Sequence, residues 1–92
     1  MNNLLANERV LIIGAGGLLG TKVTKQALEQ GAKVIAVDLS IEHIQTRLSK
    51  EGIDITNSNL SFCRLDVTVE EDVIKFFESD IEITGAVNCT YP

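Results

Sequence analysis

The amino-acid sequence predicts an α/β fold built on a parallel sheet with helices on both faces. Four short apolar runs are present, and each leads into a glycine, a carboxylate or an amide. Segments with one apolar face at helical spacing lie between these runs. Strands that alternate with helices form right-handed crossovers and therefore a parallel, doubly wound sheet. We expect the element order β-α-β-α-β-α-β, the strand order 3-2-1-4 and one domain over residues 1–92.

The first strand and the first helix lie on either side of a glycine cluster. Residues 10–13 are a continuous apolar run, which is typical of a strand covered on both faces. Apolar side chains then recur at four-residue steps, which predicts a helix over residues 18–30 with one buried stripe. Gly31 stands where a C-cap glycine is expected. The buried stripe consists of Leu19, Val23 and Ala27.

The second strand leads into a helix with a polar start. Residues 33–37 are a short apolar run followed by Asp38. Ser40 is a favourable N-cap residue, and Gly52 is expected to end the helix that Ser40 begins. The apolar face of this helix consists of Ile41, Ile44 and Leu48.

The last two strands flank a third helix. Residues 60–65 form the third predicted strand, which ends at Asp66. Thr68 and Glu71 have the spacing of a capping box and predict that a helix starts there. Residues 85–87 form the fourth strand. The apolar face of the third helix consists of Val73, Phe76 and Phe77.

The charge balance indicates a small-molecule partner. The chain carries 13 acidic and 8 basic residues, a formal net charge of -5, and no block of like charges. Nucleic acids and anionic membranes are therefore not expected as partners, because both require a basic surface. No apolar stretch approaches the roughly 20 residues that span a bilayer, and the start of the chain does not resemble a signal peptide. These features predict a cytoplasmic location.

The two cysteines, Cys63 and Cys89, are expected to be reduced thiols. Their number and spacing fit neither a disulfide framework nor a zinc site, so no metal is predicted. In the strand order 3-2-1-4 they lie about 14 Å apart, beyond the roughly 7 Å Cα separation that a disulfide tolerates. Cys89 has no accompanying base that would make it a nucleophile. His43 is expected on the polar face of the second helix, exposed to solvent and without a catalytic role.

Four of the seven glycines lie within seven positions, between the first strand and the first helix. Gly14 permits a tight turn, Gly16 and Gly17 remove side chains where a pyrophosphate approaches the backbone, and Gly20 lets the helix pack close to the sheet. The unpaired N–H groups and the dipole of the helix face the phosphates. A glycine-rich turn without a ligand is the alternative explanation of the pattern.

Asp38 favours the ligand-binding interpretation. It ends the second strand, where a dinucleotide-binding fold places the carboxylate that accepts hydrogen bonds from the adenosine ribose. A ribose phosphate beside this carboxylate is repelled by about 4 kcal/mol per unit charge at about 4 Å and an effective dielectric of 20. The neighbouring residues 15–18 and 39–40 are uncharged and offer no compensating cation. We therefore predict NAD rather than NADP as the cofactor.

Together these motifs resemble the cofactor-binding half of the short-chain dehydrogenase/reductase family. They are Gly14-x-x-Gly17-x-x-Gly20, Asp38, Leu65-Asp66-Val67-Thr68 and Asn88, each at the end of a strand. The resemblance implies a Rossmann-type fold in which Asp66 binds the adenine amino group, Val67 lines the adenine pocket and Asn88 supports the loop beside the adenosine. A strand end at Asp66 and a core position for Val67 are the structural alternatives. The expected cofactor neighbours also include Leu18, Leu19, Leu39 and Cys89.

The branch of the family is left open by the sequence. The glycine spacing resembles that of the epimerase-like branch, whereas Asp66-Val67-Thr68 and Asn88 resemble the reductase branch. Asn88-Cys89-Thr90-Tyr91 replaces the usual Asn-Asn-Ala-Gly of the reductases. The ending Asn-x-x-Tyr-Pro is similar to that of some reductases in bacterial surface-glycan and flagellin-sugar pathways.

No catalytic residue is predicted within the 92 residues. The family uses a tyrosine with a lysine four residues later, plus a serine, and no Tyr-x-x-x-Lys is present here; Tyr91 is the single tyrosine. We therefore expect an incomplete, N-terminal NAD-binding portion of an oxidoreductase that transfers hydride between the nicotinamide and a carbonyl or alcohol substrate. A non-catalytic NAD-binding module and the start of a sugar-nucleotide epimerase or dehydratase are the alternatives. If translation ends at Pro92, the uncovered edge of the fourth strand predicts a homo-oligomer.

Overall fold

Strands and helices alternate along the chain in the order that the sequence predicts. The computed structural model describes residues 4–66, 68–78 and 82–90. The elements are β1 (Arg9–Ile13), α1 (Leu18–Glu29), β2 (Lys33–Asp38), α2 (Ile41–Lys50), β3 (Leu60–Arg64), α3 (Glu70–Glu78) and β4 (Gly85–Asn88). β2 and β4 each extend one residue beyond the predicted end, to Asp38 and Asn88, and β3 ends one residue earlier, at Arg64.

The four strands form one parallel sheet in the order β3-β2-β1-β4, which confirms the predicted topology. Ile13 of β1 pairs with Val37 of β2 and with Asn88 of β4. The carboxyl ends of these three strands therefore lie at the same edge of the sheet. The order of strands reverses between β1 and β4, which is the position where doubly wound folds bind their ligands.

Both faces of β1 and β2 are buried, which explains their continuous apolar runs. Ile12 and Ala36 pack with Ala27 of α1 and Ile44 of α2, whereas the opposite face carries a second cluster. The residues of that second cluster are Leu11, Ile35, Val37, Leu65 and Phe76. Parallel strands covered on both faces lose the polar alternation of half-exposed strands. The core thus holds the ends of β1 and β2 rigidly beneath the candidate site.

The buried face of α1 matches the predicted stripe at Ala27, and Val23 packs partly buried against the core, but Leu19 does not belong to it. Small residues form it, and Leu19 is 44% exposed. The cause is the close approach of α1 to the glycine loop, which leaves no room for larger side chains at the start of the helix. Gln30 caps the helix, and Gly31 follows with φ +89°, as a C-terminal glycine is expected to. The buried residues of α1 are Gly20, Thr21, Thr24 and Ala27.

The second helix begins as predicted. Ser40 Oγ accepts a hydrogen bond from the N–H of His43 at 3.2 Å, which is the N-cap interaction. Ile44 and Leu48 are fully buried, whereas Ile41, at the first position of the helix, is partly exposed. Gly52 lies just beyond the C-cap residue Glu51 and has φ +80°, a conformation that favours glycine.

The start of α3 and its apolar face differ from the prediction. The Thr68 hydroxyl donates to Asp66 Oδ1, and the helical hydrogen bonds begin with Val73 N–H donating to the carbonyl of Val69. The predicted capping box is therefore wrong, because the Thr68 side chain is directed back to the end of β3. Phe76 is buried, but Phe77 is 57% exposed and contacts Phe76 edge to face. No helix within the described ranges is long and apolar enough to cross a membrane.

Candidate functional site

The candidate site lies at the carboxyl ends of the strands, around the loop that connects β1 to α1. Gly14 begins this loop with φ +79°, a conformation that other residues adopt only at a cost in free energy. Its N–H donates to the carbonyl of Val37 at 2.8 Å. A Cβ on Gly14 would meet the backbone of Cys89 and Thr90 at 3.0 Å. Glycine is therefore required here both for the turn and for the space beside β4.

Gly20 brings α1 against the loop. A Cβ at this position would collide with the carbonyl oxygen of Gly14 and lie 2.8 Å from Ala15 Cα. The Thr21 hydroxyl donates to the carbonyl of Gly17 at 2.6 Å, which fixes the first turn. The sequence predicts that Gly20 lets α1 pack close to the sheet. The close packing is present, but the surface that Gly20 contacts is the glycine loop.

The amino end of α1 is open to an anion. Its N-cap is Gly17, which has no side chain to accept a hydrogen bond from the first turn, and no acidic residue lies in that turn. The N–H groups at the start of a helix have no intrahelical acceptor, and the helix dipole adds a partial positive charge. A phosphate group fits this position, since it would supply the missing acceptors.

Asp38 is held against the glycine loop by two hydrogen bonds. Its Oδ2 accepts from the N–H of Gly16 at 2.9 Å, and its Oδ1 accepts from the N–H of Leu39 at 2.8 Å. The side chain is half-buried. The end of β2 and the loop after β1 therefore form one continuous surface, which joins two features that the sequence places 22 positions apart.

His43 is a site residue that the sequence interpretation missed. Its side chain is exposed, as expected, but it lies against Gly16. A Cβ on Gly16 would approach His43 Cδ2 to 2.7 Å and Asp38 Oδ2 to 3.0 Å. A side chain at position 16 would therefore have to displace the His43 ring, whereas a Cβ on Gly17 would meet only the Gly14 carbonyl oxygen, at 3.5 Å. No pattern of spacing relates positions 16 and 43.

Asp66 and Asn88 are held in the same way after their respective strands. Asp66 Oδ1 accepts hydrogen bonds from the N–H (2.9 Å) and the hydroxyl (2.6 Å) of Thr68. Asn88 Oδ1 accepts the equivalent pair from Thr90, at 3.0 and 2.6 Å. The hydroxyl and N–H of Thr68 lower the pKa of the Asp66 carboxyl below its ordinary value. The repeated Asx-x-Thr spacing in the sequence is the signal that could have identified Thr90.

Asp66 and Asn88 do not meet. Asp66 lies near Asp38. The N–H of Leu65, the residue before Asp66, donates to the carbonyl of Asp38 at 3.1 Å. Asn88 lies on the far side of β1, three strand spacings from β3, which is about 14 Å. The site is thus an elongated crevice, with Asp66 and Asp38 toward one end, the glycine loop in the middle and Asn88 beyond it.

Cys89 lies beneath the glycine loop. Its N–H donates to the carbonyl of Ile13 at 2.8 Å, its side chain is in the core, and burial raises the pKa of its thiol. Both cysteines are free, as the sequence predicted, and the described part of the chain contains no cluster of three potential metal ligands.

The other candidate residues lie on the rim of the crevice or cannot be placed. Three apolar side chains at the rim are exposed, namely Leu18, Leu19 and Leu39. Val67, Tyr91 and Pro92 fall outside the described residues, so the predicted place of Val67 in an adenine pocket has no structural counterpart here.

Comparison with known proteins relates residues 10–91 to a family model described as the NAD dependent epimerase/dehydratase family. A short chain dehydrogenase/reductase, dpchG, from Colletotrichum higginsianum is 30% identical over 80% of this chain and 27% of its own length. The post-translational flagellin modification protein A of Campylobacter coli is 28% identical over 97% of this chain and 36% of its own length. The chain therefore spans between about a quarter and about a third of these curated relatives.

Two solved structures are similar in both fold and sequence. A putative 3-oxoacyl-reductase from Bacillus thuringiensis aligns with a TM-score of 0.73 and 27% identity, over 92% of this chain and 36% of that protein. The closed form of a serine dehydrogenase complexed with NADP⁺ aligns with a TM-score of 0.62 and 31% identity, over 80% of this chain and 28% of that protein. In both cases the match covers the part of the larger chain that has the fold described above.

Proposed function

The chain belongs to the NAD dependent epimerase/dehydratase family, and from this premise we propose that it binds NAD(H) in preference to NADP(H), with the adenosine ribose at Asp38. The resemblance to the short-chain dehydrogenases/reductases is confirmed, and the chain carries their Rossmann-type dinucleotide-binding part. The preference for NAD(H) is supported chiefly by the position of the Asp38 carboxylate on the glycine loop.

The geometry of the loop suits a pyrophosphate. The amino end of α1 has no side-chain cap and no acidic first turn, and Gly17 leaves the approach to it open. In this proposal the N–H groups of the first turn of α1 donate to the phosphate oxygens. Gly14 and Gly20 act indirectly, because they place the helix and the loop close enough together for one phosphate group to lie at the helix end.

Charge supports the preference for NAD(H). A dinucleotide with a ribose phosphate brings about 1.5 to 2 negative charges toward the Asp38 carboxylate. The adjacent residues Leu39 and Ser40 carry no charge that would offset this repulsion. The serine dehydrogenase neighbour is complexed with NADP⁺, so fold similarity does not decide the preference. The charge of Asp38 and the uncharged residues that follow it support NAD(H) as the cofactor.

In the whole protein the bound cofactor would supply reversible hydride transfer at its nicotinamide ring. We propose that the full-length protein uses this chemistry to interconvert a carbonyl and an alcohol, in keeping with the dehydrogenase and reductase names of its relatives. The residues of this chain bind and orient the dinucleotide: Asp38 and Asp66 hold its adenosine end, and the glycine loop holds its pyrophosphate. The 92 residues contain no Tyr-x-x-x-Lys to act as acid and base.

A sugar-linked substrate is the second candidate for the whole protein. Its support comes from the Gly-x-x-Gly-x-x-Gly spacing, the epimerase/dehydratase family model and the flagellin modification relative. Epimerization and dehydration of sugar nucleotides both begin with oxidation of a sugar hydroxyl, so the same cofactor site serves either reaction. Activity assays of the full-length protein with nucleotide sugars and with simple ketones would distinguish the two substrate classes.

Calorimetric titration of the purified protein with NAD, NADH, NADP and NADPH tests the cofactor proposal. We expect binding of NAD and NADH at least about tenfold tighter than that of the phosphorylated pair, which corresponds to a difference of about 1.4 kcal/mol. Asp54→Asn is a suitable control, because Asp54 is an exposed carboxylate in the loop between α2 and β3. Absence of binding to all four dinucleotides would overturn the proposal.

A further inference from the structure

His43 occupies a position at the site that the proposed binding of NAD does not explain. It is the third residue of α2, yet its imidazole lies against the loop between β1 and α1. The hydrogen bond from its N–H to Ser40 Oγ fixes the first turn of α2, from which the side chain extends. The contact therefore brings the start of α2 together with the glycine loop.

The contact involves one edge of the imidazole ring. The Cδ2 and Nε2 atoms lie 2.7 and 3.3 Å from the point where a Cβ on Gly16 would stand. Asp38 Oδ2 lies 3.0 Å from that same point. One small volume therefore lies between the ring edge of His43, the carboxylate of Asp38 and the Cα of Gly16. Gly16 has no side chain that would fill this volume.

This volume is next to the groups that would bind the ribose. A carboxylate at the end of the second strand accepts hydrogen bonds from ribose hydroxyls, so these hydroxyls must lie within about 3 Å of the Asp38 oxygens. Asp38 Oδ2 also accepts from Gly16 N–H, and the edge of the His43 ring lies beside the same two residues. A phosphate on a ribose hydroxyl bound there would add bulk next to the ring, whereas the hydroxyl alone would not.

We propose that His43 is a specificity-determining residue, whose ring closes the space between Asp38 and Gly16 against a dinucleotide that carries a phosphate on its adenosine ribose. This inference rests on the proposed binding of NAD(H) at Asp38 and adds a steric barrier to the charge repulsion from that residue. The two barriers differ in kind, because repulsion acts on the charge of the phosphate and the ring acts on its volume. Specific sites commonly combine an attraction for one ligand with an obstruction of its competitor.

The test compares two replacements of His43 that differ in bulk. His43→Ala removes the ring, and His43→Phe keeps a ring of at least the same size without its nitrogens. Thr46→Ala is the matched control, since Thr46 is an exposed residue one turn along α2 and borders the same shallow surface depression as His43. Dissociation constants for NAD and NADP are measured by calorimetry for the unmutated protein and each variant, and circular dichroism melts verify that each variant is folded.

We expect the ratio of the NADP to the NAD dissociation constant to fall by roughly tenfold in His43→Ala. The ratio should remain within about twofold of the unmutated value in His43→Phe and in Thr46→Ala. A ratio that is unchanged or higher in His43→Ala overturns the inference, and a rise would instead indicate that the imidazole attracts the phosphate. A fall of the same size in His43→Phe overturns it as well. Failure of the unmutated protein to bind NAD would overturn the proposed function. The role of His43 is tested by the change of the ratio in the variants, so the two failures are distinguishable.

Discussion

The carboxylate of Asp38 accepts a hydrogen bond from the backbone N–H of Gly16, with Oδ2 2.9 Å from the nitrogen. This bond links the end of β2 to the loop between β1 and α1. Under the proposed function Asp38 therefore has two tasks. It would offer acceptors to a ribose, and its bond to Gly16 holds the loop in the position that a pyrophosphate would require.

Two substitutions of Asp38 separate these tasks. Asp38→Asn removes the charge but keeps an oxygen that accepts from Gly16 N–H, so we expect weaker NAD binding and a smaller preference for NAD over NADP. Asp38→Ala removes the acceptor as well and leaves the N–H unpaired, which should weaken NAD binding by about a further 1 kcal/mol. Calorimetric titration of both variants measures the difference. Equal affinity of the unmutated protein for NAD and NADP would refute the role of the charge.

Gly17 and Gly20 provide a matched pair for the packing of α1. Gly20→Ala places a methyl group against the carbonyl oxygen of Gly14 and 2.8 Å from Ala15 Cα, whereas Gly17→Ala adds one that meets only the Gly14 carbonyl oxygen, at 3.5 Å. Overpacking of this kind costs about 1–3 kcal/mol or more. We expect Gly20→Ala to lower the free energy of unfolding by at least about 2 kcal/mol, and Gly17→Ala by less than about 1 kcal/mol.

Urea unfolding followed by circular dichroism measures both Gly variants. Gly17 has φ -82°, so alanine there meets no conformational penalty and isolates the effect of the added methyl group. Equal unfolding free energies for the two variants would contradict the close packing of α1 on the loop.

The hydrogen bonds from Thr68 should be visible in the titration of Asp66. The hydroxyl and N–H of Thr68 lower the pKa of this carboxyl in the folded state. Thr68→Val removes the hydroxyl, the larger of the two influences, and should raise the pKa toward its ordinary value of about 3.9, whereas Thr68→Ser should preserve the lowered value. Carbon-13 NMR titration of the Asp66 carboxyl measures the change.

The same bonds imply a pH dependence of stability. A carboxyl whose pKa is lower in the folded state stabilises that state fully above its unfolded pKa, and the contribution disappears as the pH falls through the folded value. Thr68→Val should therefore unfold at a lower urea concentration than Thr68→Ser at pH 7, and the two midpoints should converge as the pH falls through the folded pKa of Asp66. A gap that persists at low pH would indicate a packing effect of the substitution.

The strand order and the core of β1 and β2 could be predicted because they follow from periodic patterns. Continuous apolar runs identify strands buried on both faces, and alternation with helices determines the topology. The predicted burial of Leu19 and Phe77 and the predicted capping role of Thr68 are wrong for a different reason. Apolar character and capping propensity act locally, whereas the close approach of α1 to the loop, the hydrogen bond to Asp66 and the exposed face of α3 depend on tertiary contacts.

The same distinction applies to the site. The turn at Gly14, the packing at Gly20 and the position of Asp38 follow from a motif whose spacing is fixed by the strand-turn-helix geometry. His43 could not be found in this way, because its contact with Gly16 is set by the direction in which α2 leaves β2. A side chain that lies against a motif residue from another element has no fixed spacing from it in the sequence.

Gly16 and His43 should therefore be coupled energetically. The φ angle of Gly16 is not positive. Alanine at this position is therefore opposed by the neighbouring side chains and not by backbone conformation. In Gly16→Ala the new methyl group lies 2.7 Å from His43 Cδ2, and we expect weaker NAD binding because the ring or the loop must move. His43→Ala removes that contact, and the remaining approach is to Asp38 Oδ2 at 3.0 Å.

The double variant should consequently bind NAD more tightly than the sum of the two single effects predicts, with a coupling energy of about 0.5–3 kcal/mol. Gly17→Ala combined with His43→Ala is the control cycle, and its effects should add, since a Cβ on Gly17 makes no contact with His43. Additive effects in both cycles would contradict the contact between Gly16 and the imidazole. Coupling confined to the Gly16 cycle would show that the exposed histidine of α2 contacts this position of the loop.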